Sequence, residues 1–200
     1  MKTKILSIIL LFAVIAGFSK STYTATSNAD YTLLKEIKAI NKIEVRGNVE
    51  LFISDSPVEQ VKVYNKYYSE NALVQYKNGT LRIASYGAEK LIVWVSTDDL
   101  RAVSAYDNAE VKSFGKLSKI EFNVDLHNNA SADLNLDAYS ANVKLNDHAK
   151  AELIGTVTEF GLNANANTTV IKSDFKAEHF TDDKIDAVTA VKNNDLTILE

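Results

Sequence analysis

The chain contains no cysteine, one proline (Pro57) and seven glycines in 200 residues. Without cysteine there is no disulfide, no thiolate metal site, no cysteine nucleophile and no lipid-modified cysteine behind a signal peptide. Small eukaryotic secreted domains are usually stapled by disulfides, so their absence favours a bacterial envelope protein with an adequate core. Gly and Pro both fall below their usual shares of about 7% and 5%. Asn and Asp must therefore turn this chain. The basic residues form no run or stripe and the formal net charge is −4, which leaves no electrostatic footprint for a nucleic acid.

Long apolar runs are also scarce. The longest, Ile5 to Phe18, is interrupted only by Ser7 and would span about 21 Å as a helix, short of the roughly 30 Å hydrocarbon core of a bilayer. Preceded by Lys2 and Lys4, it reads as a secretory signal over residues 1–19, with cleavage near 19–21, where Gly17, Ser19 and Ser21 supply small residues. Loss of the two lysines takes the formal charge from −4 to −6. The mature protein is expected in the periplasm, on the outer surface or in the medium, with no transmembrane segment after cleavage.

What remains should fold, since apolar residues make up 46% and charged residues 24%, ordinary values for a globular chain. Residues 20–36 are polar at first and read as a flexible lead-in to a domain over 37–200. From Ile43 the pattern has period two: Ile43, Val45, Val49, Leu51, Ile53, Val61 and Val63 alternate with polar residues such as Glu44, Arg46, Glu50 and Lys62, the mark of strands with one buried face. Asn78-Gly79 between two such runs predicts a tight hairpin. Leu91 to Val95 (LIVWV) is apolar throughout and predicts a strand covered on both faces.

Beyond residue 97 an internal repeat appears. Asn108, Asn129, His148 and Asn167 are spaced by 21, 19 and 19 residues, and a further 19 reaches Asp186. A small residue follows each (Ala109, Ala130, Ala149, Thr168, Ala187), then an apolar one (Val111, Leu134, Leu153, Val170, Val188). A looser aromatic column runs Phe122, Tyr139, Phe160, Phe180. A repeat near twenty residues suits a solenoid, and the L-x-x-L-x-L spacing of leucine-rich repeats is missing. The expected fold is all-β: a right-handed parallel β-helix of about twenty residues per coil, preceded by β-strands and hairpins. Its Asn column would form a side-chain ladder.

The order of these features resembles the bacterial family of putative auto-transporter adhesins, head GIN domain. The resemblance rests on the signal peptide, on Ile40 to Ile53 (I-x-x-I-x-V-x-G-x-V-x-L-x-I), on Asn78 to Ile83 (N-G-T-L-x-I), on the strand and Asp-Leu of Leu91 to Leu100, and on the small-polar-small repeats. It covers about residues 37–190. Where many members carry Ser and Gly in the repeat motif, this chain has Asn, Asp and His. The resemblance implies a secreted or envelope protein with a β-helical body and no catalytic residue.

Catalytic readings are weak beside it. Asp98 with Asp99, Asp107, Asp133, Asp147, and Asp182 with Asp183 could pair as in polysaccharide-cleaving enzymes, which hold two carboxyls roughly 5 to 9.5 Å apart, but acidic turn residues are expected for solubility alone. His127 and His148 with Asp147 could offer a two-His-one-carboxylate metal set, without the H-E-x-x-H spacing that would support it. Trp94 and Tyr64, Tyr67, Tyr68, Tyr76, Tyr86 and Tyr106 could stack on sugars or simply pack. The expectation is a non-enzymatic, adhesin-like or structural module without cofactor or metal. Its candidate binding face is Asp107, Asn108, Asn128, Asn129, Asp147, His148, Asn165 and Asn167. A polysaccharide, an envelope or surface protein, or another copy meeting it through sheet edges would be its partner. A polysaccharide lyase or hydrolase on the same scaffold is the alternative.

Overall fold

A computed structural model describes residues 25–27, 31–35, 37–64 and 72–184. The expected signal peptide, its cleavage site and the Asp186 repeat lie outside the described residues. The strands are β1 (Ala25–Ser27), β2 (Thr32–Leu34), β3 (Lys42–Gly47), β4 (Val49–Ser54), β5 (Gln60–Tyr64), β6 (Ala72–Lys77), β7 (Thr80–Ser85) and β8 (Leu91–Ser96). They continue as β9 (Ala102–Tyr106), β10 (Glu110–Ser113), β11 (Leu117–Leu126), β12 (Ser131–Leu145), β13 (Lys150–Ala164) and β14 (Thr169–Lys184). Two of them, β1 and β2, lie within the stretch read as a lead-in. The Asn-Gly hairpin forms as expected, with β6 and β7 antiparallel around Asn78 and Gly79, both at positive φ.

The repeat spacing sets the parallel pairing. Ser131 of β12 lies opposite Lys150 of β13, and Lys150 opposite Thr169 of β14. The expected right-handed β-helix does not form, however. All fourteen strands belong to one sheet that curls through 301° about an axis and stays open, as a half-barrel. The physical reason lies in the strands between the turns. A β-helix breaks each coil into several short strands, whereas here β12, β13 and β14 run on for 15, 15 and 16 residues. With one tight turn per repeat, the sheet must bend within its strands.

The bends are visible as slips in the alternation. In β12, Tyr139 and Ser140 both face away from the core between buried Ala138 and Ala141, and in β13 Thr158 and Glu159 do the same between Val157 and Phe160. This slip breaks the expected aromatic column. Phe122 and Phe160 are buried on either side of Ala141, whereas Tyr139 is 60% exposed. A further bend sits at Gly155, where the register between β13 and β14 shifts.

Inward residues of the curled sheet form one continuous apolar core. The residues after each repeat turn, Ala109, Ala130, Ala149 and Thr168, are buried in it, as are Val111, Leu134, Leu153 and Val170. Thr168 keeps its hydroxyl satisfied by donating to the Asn165 carbonyl at 2.7 Å. The LIVWV strand is covered by the core on one face only: Leu91, Val93 and Val95 are buried, while Ile92 and Trp94 are half-buried on the outside. There the Trp94 ring stacks on Phe52 and meets the edge of Phe114.

Gly155 sits at φ +107, and a Cβ there would lie 2.0 Å from the Leu136 carbonyl oxygen. A Gly155→Ala substitution is expected to lower the unfolding free energy by about 3 kcal/mol, from backbone strain plus displacement of the neighbouring strand. Urea denaturation of the two proteins measures it.

Candidate binding face

The repeat motif folds into a stack of tight turns. In each, the fourth residue donates its N–H to the carbonyl of the first: Ala109 to Tyr106, Ala130 to His127, Ala149 to Asn146 and Thr168 to Asn165, at 3.1–3.2 Å. The second residue takes a left-handed conformation at Asp107 (φ 63°), Asn128 (φ 60°) and Asp147 (φ 60°), which Asn and Asp tolerate better than other side chains. Neighbouring turns are joined by backbone bonds, Asn129 N to Asp107 O and His148 N to Asn128 O, both 2.9 Å.

A second set of bonds links the turns through side chains. The Asn128 N–H donates to Oδ2 of Asp147 at 2.9 Å, the Asp107 N–H to Oδ1 of Asn128 at 3.2 Å, and the Gly47 N–H to Oδ2 of Asp107 at 3.2 Å. The ladder therefore runs through the residue before the column chosen from sequence, and it joins side-chain oxygens to backbone donors. The expected amide-to-amide link occurs once, with Asn129 Nδ2 donating to Asn108 Oδ1 at 3.3 Å. Asn108, Asn129, His148 and Asn167 are exposed, and Asn165 is half-buried with its carbonyl engaged by Thr168.

Beside this column lies a group that the sequence reading passed over. The Arg46 guanidinium sits 3.8 Å above the Tyr106 ring, which stacks on the His127 imidazole at 4.7 Å and 9°. His127 Nε2 is 3.0 Å from Oδ1 of Asp125. Its signal was present, since Tyr106 and His127 share the 21-residue spacing of Asn108 and Asn129. The paired His127 and His148 do not meet as a metal set: His127 lies in the Tyr106 column, and His148 at the exposed turn. Among the described residues no group of three or more His, Cys, Asp or Glu could hold a metal ion.

Three of the candidate carboxylates are engaged elsewhere. Asp107 and Asp147 are ladder acceptors, and Asp99 pairs with Arg101 at 2.8 Å on the surface. Elsewhere on the outer face, charges pair across strands. Glu110 meets Lys90 at 2.6 Å and Lys112 at 3.4 Å, and Lys112 meets Glu50 at 2.5 Å. The hydrogen bond from Lys90 does most to hold the Glu110 carboxyl below its ordinary range, against partial desolvation. Glu44 is lowered in the same way, first by Lys42 and then, against desolvation, by Arg82. Glu50 raises Lys112.

The family model described as putative auto-transporter adhesin, head GIN domain, matches residues 39–190. The chain belongs to this family. Head GIN domains are adhesin-like modules, and this one is non-enzymatic. The auto-transporter designation agrees with an exported protein, and among the described residues no helix is long and apolar enough to cross a membrane. No curated protein matches. Among solved structures, one from Parabacteroides distasonis described as a putative lipid binding protein is 10% identical with a TM-score of 0.51, covering 83% of this chain and 98% of that one. A putative adhesin from Bacteroides fragilis is 11% identical with a TM-score of 0.49, covering 82% and 97%. One from Parabacteroides merdae is 14% identical with a TM-score of 0.46, covering 82% and 96%. The first likeness is one of fold.

Two predictions follow from these contacts. In this head GIN domain, Asp147→Asn retains an oxygen for the Asn128 N–H and should leave stability within about 0.5 kcal/mol, whereas Asp147→Ala should lose about 2 kcal/mol through the missing acceptor and the strained left-handed backbone. Denaturant titration of both variants separates these outcomes. The Glu44 and Glu110 carboxyls are held below the ordinary glutamate value of 4.5 in the folded protein, so their contribution is present above that pH and fades as pH falls through the lowered values. The melting temperature should therefore drop on acidification below about pH 4.5, and a Glu44→Gln/Glu110→Gln double variant should show a shallower drop in the same scan.

Proposed function

We propose that this head GIN domain is an exported adhesin-like module that holds a polysaccharide along its stacked turns, with Asp107, Asn108, Asn128, Asn129, Asp147, His148, Asn165 and Asn167 forming the face. The supporting observation is a division of labour within each turn. Asp107, Asn128 and Asp147 are tied to neighbouring backbone N–H groups, while Asn108, Asn129, His148 and Asn167 are exposed. The exposed groups repeat at the strand spacing of about 4.8 Å on a support that cannot easily shift. A polymer laid along them gains many weak contacts at little ordering cost to the protein.

In this reading residues 1–19 direct export, and residues 37–200 are the binding domain. A second reading, self-association, is favoured by β14, which pairs only with β13 and so leaves its other edge open among the described residues. The two readings differ in where substitutions act.

A glycan array probed with the signal-cleaved protein should give saturable binding to at least one polysaccharide. Binding should disappear in an Asn108→Ala/Asn129→Ala/Asn167→Ala variant with an unchanged far-ultraviolet circular dichroism spectrum, because the main ladder does not use these side chains. Binding undiminished in the folded variant, or no binding to any glycan, would contradict the proposal.

A further inference from the structure

A different part of the outer surface has the form of a small binding site. β12, β13 and β14 lie side by side there, with Ser140 opposite Glu159, Asn142 opposite Gly161 and Gly161 opposite Thr181, and Lys144 opposite Asn163. Gly161 thus occupies the centre of a grid of outward residues and contributes no side chain. The result is a depression of about 320 Å³ lined by Ser140, Asn142, Lys144, Glu159, Asn163 and Thr181. That is the lower end of the size range of small-molecule sites.

Its lining is free to bond a ligand. Asn142 Nδ2 donates to Asn123 Oδ1 at 3.2 Å, and its Oδ1 leans over the glycine, where a Cβ would lie 2.5 Å away. Among the described residues, the side chains of Ser140, Lys144, Glu159, Asn163 and Thr181 make no bond to one another or to their neighbours. The contrast with the outer face of β4 and β10 is direct, because there Glu50, Lys112 and Glu110 neutralise one another.

The chemistry around the depression mixes hydroxyls, amides, one carboxylate and one ammonium. Such a set matches a ligand that offers several hydroxyls, each both donor and acceptor, and carries no net charge. The geometry points to a site for one neutral sugar residue at Gly161, separate from the turn column and independent of it. Asn142 Oδ1 and Glu159 accept ligand hydroxyls, Lys144 and Asn163 donate to them, and the missing side chain at position 161 makes the room.

The test is nuclear magnetic resonance titration of the signal-cleaved protein with glucose, galactose, mannose and N-acetylglucosamine. One of these should shift amides of residues 140–144 and 159–163 with an affinity on the order of millimolar, as expected for a ligand of about a dozen heavy atoms. Gly161→Thr should abolish the shifts by filling the depression. Glu159→Gln/Asn163→Ala, which changes exposed or half-buried side chains only, should weaken binding about tenfold. The Asn108/Asn129/Asn167 alanine variant should leave it unchanged, so the site stands or falls apart from the turn column. Absence of shifts at these amides with all four sugars, shifts that persist in Gly161→Thr, or an affinity unweakened in the double variant would overturn the assignment.

Discussion

The alignment of this sheet depends on one recurrent bond: a carboxylate or amide oxygen in one turn accepts the backbone N–H of the turn beside it. A left-handed residue at the surface exposes an amide that the strand ladder does not reach. Asp147, Asn128 and Asp107 supply the missing acceptors in sequence, ending at Gly47. Because the acceptor oxygen is carried by the left-handed residue itself, Asn and Asp satisfy both demands at once. A glycine would meet only the conformational one. This accounts for a turn-rich protein with so little glycine.

The strands that follow inherit their register from these turns. Ala109, Ala130 and Ala149 enter the core directly after each turn, and a slip of one residue would move every inward side chain to the solvent side. The long strands then bend around the core at positions where two successive residues face out, and at Gly155, where a bulge relieves the parallel pairing. The outer surface is left to cross-strand pairs: Glu110 with Lys90 and Lys112, the Phe52, Trp94 and Phe114 rings, and the Arg46, Tyr106 and His127 stack.

Much of this was legible in the residues. The 19-residue spacing, the small residue after each turn and the Asn78-Gly79 hairpin all carry local signals, and the head GIN resemblance was visible in the same segments. Other features depend on non-local geometry. Both residues of Asp107-Asn108, Asn128-Asn129 and Asp147-His148 suit a turn, so the sequence did not distinguish the ladder residue from its exposed neighbour. Tyr139 seemed to continue an aromatic column because nothing in its neighbours announces the bend that turns it outward. Closure was illegible for a similar reason. A repeat near twenty residues is compatible with short strands in a closed coil and with long strands in an open, curled sheet, and only the pairing decides. Trp94 sat in a run that looked covered on both faces because its outward partners come from elsewhere in the chain, Phe52 from β4 and Phe114 from the bend after β10.

The most direct test of the ladder is hydrogen exchange of the individual turn amides, followed by nuclear magnetic resonance. The Asp107 and Asn128 amides make exposed bonds and the Gly47 amide a part-buried one, and an unbonded N–H at these positions would exchange far faster than the strand amides. The ladder predicts that all three are protected to the level of the adjoining strand amides. Exchange of these three at the rate of an open loop, with the neighbouring strands still protected, would show that the side-chain oxygens do not hold the turns together.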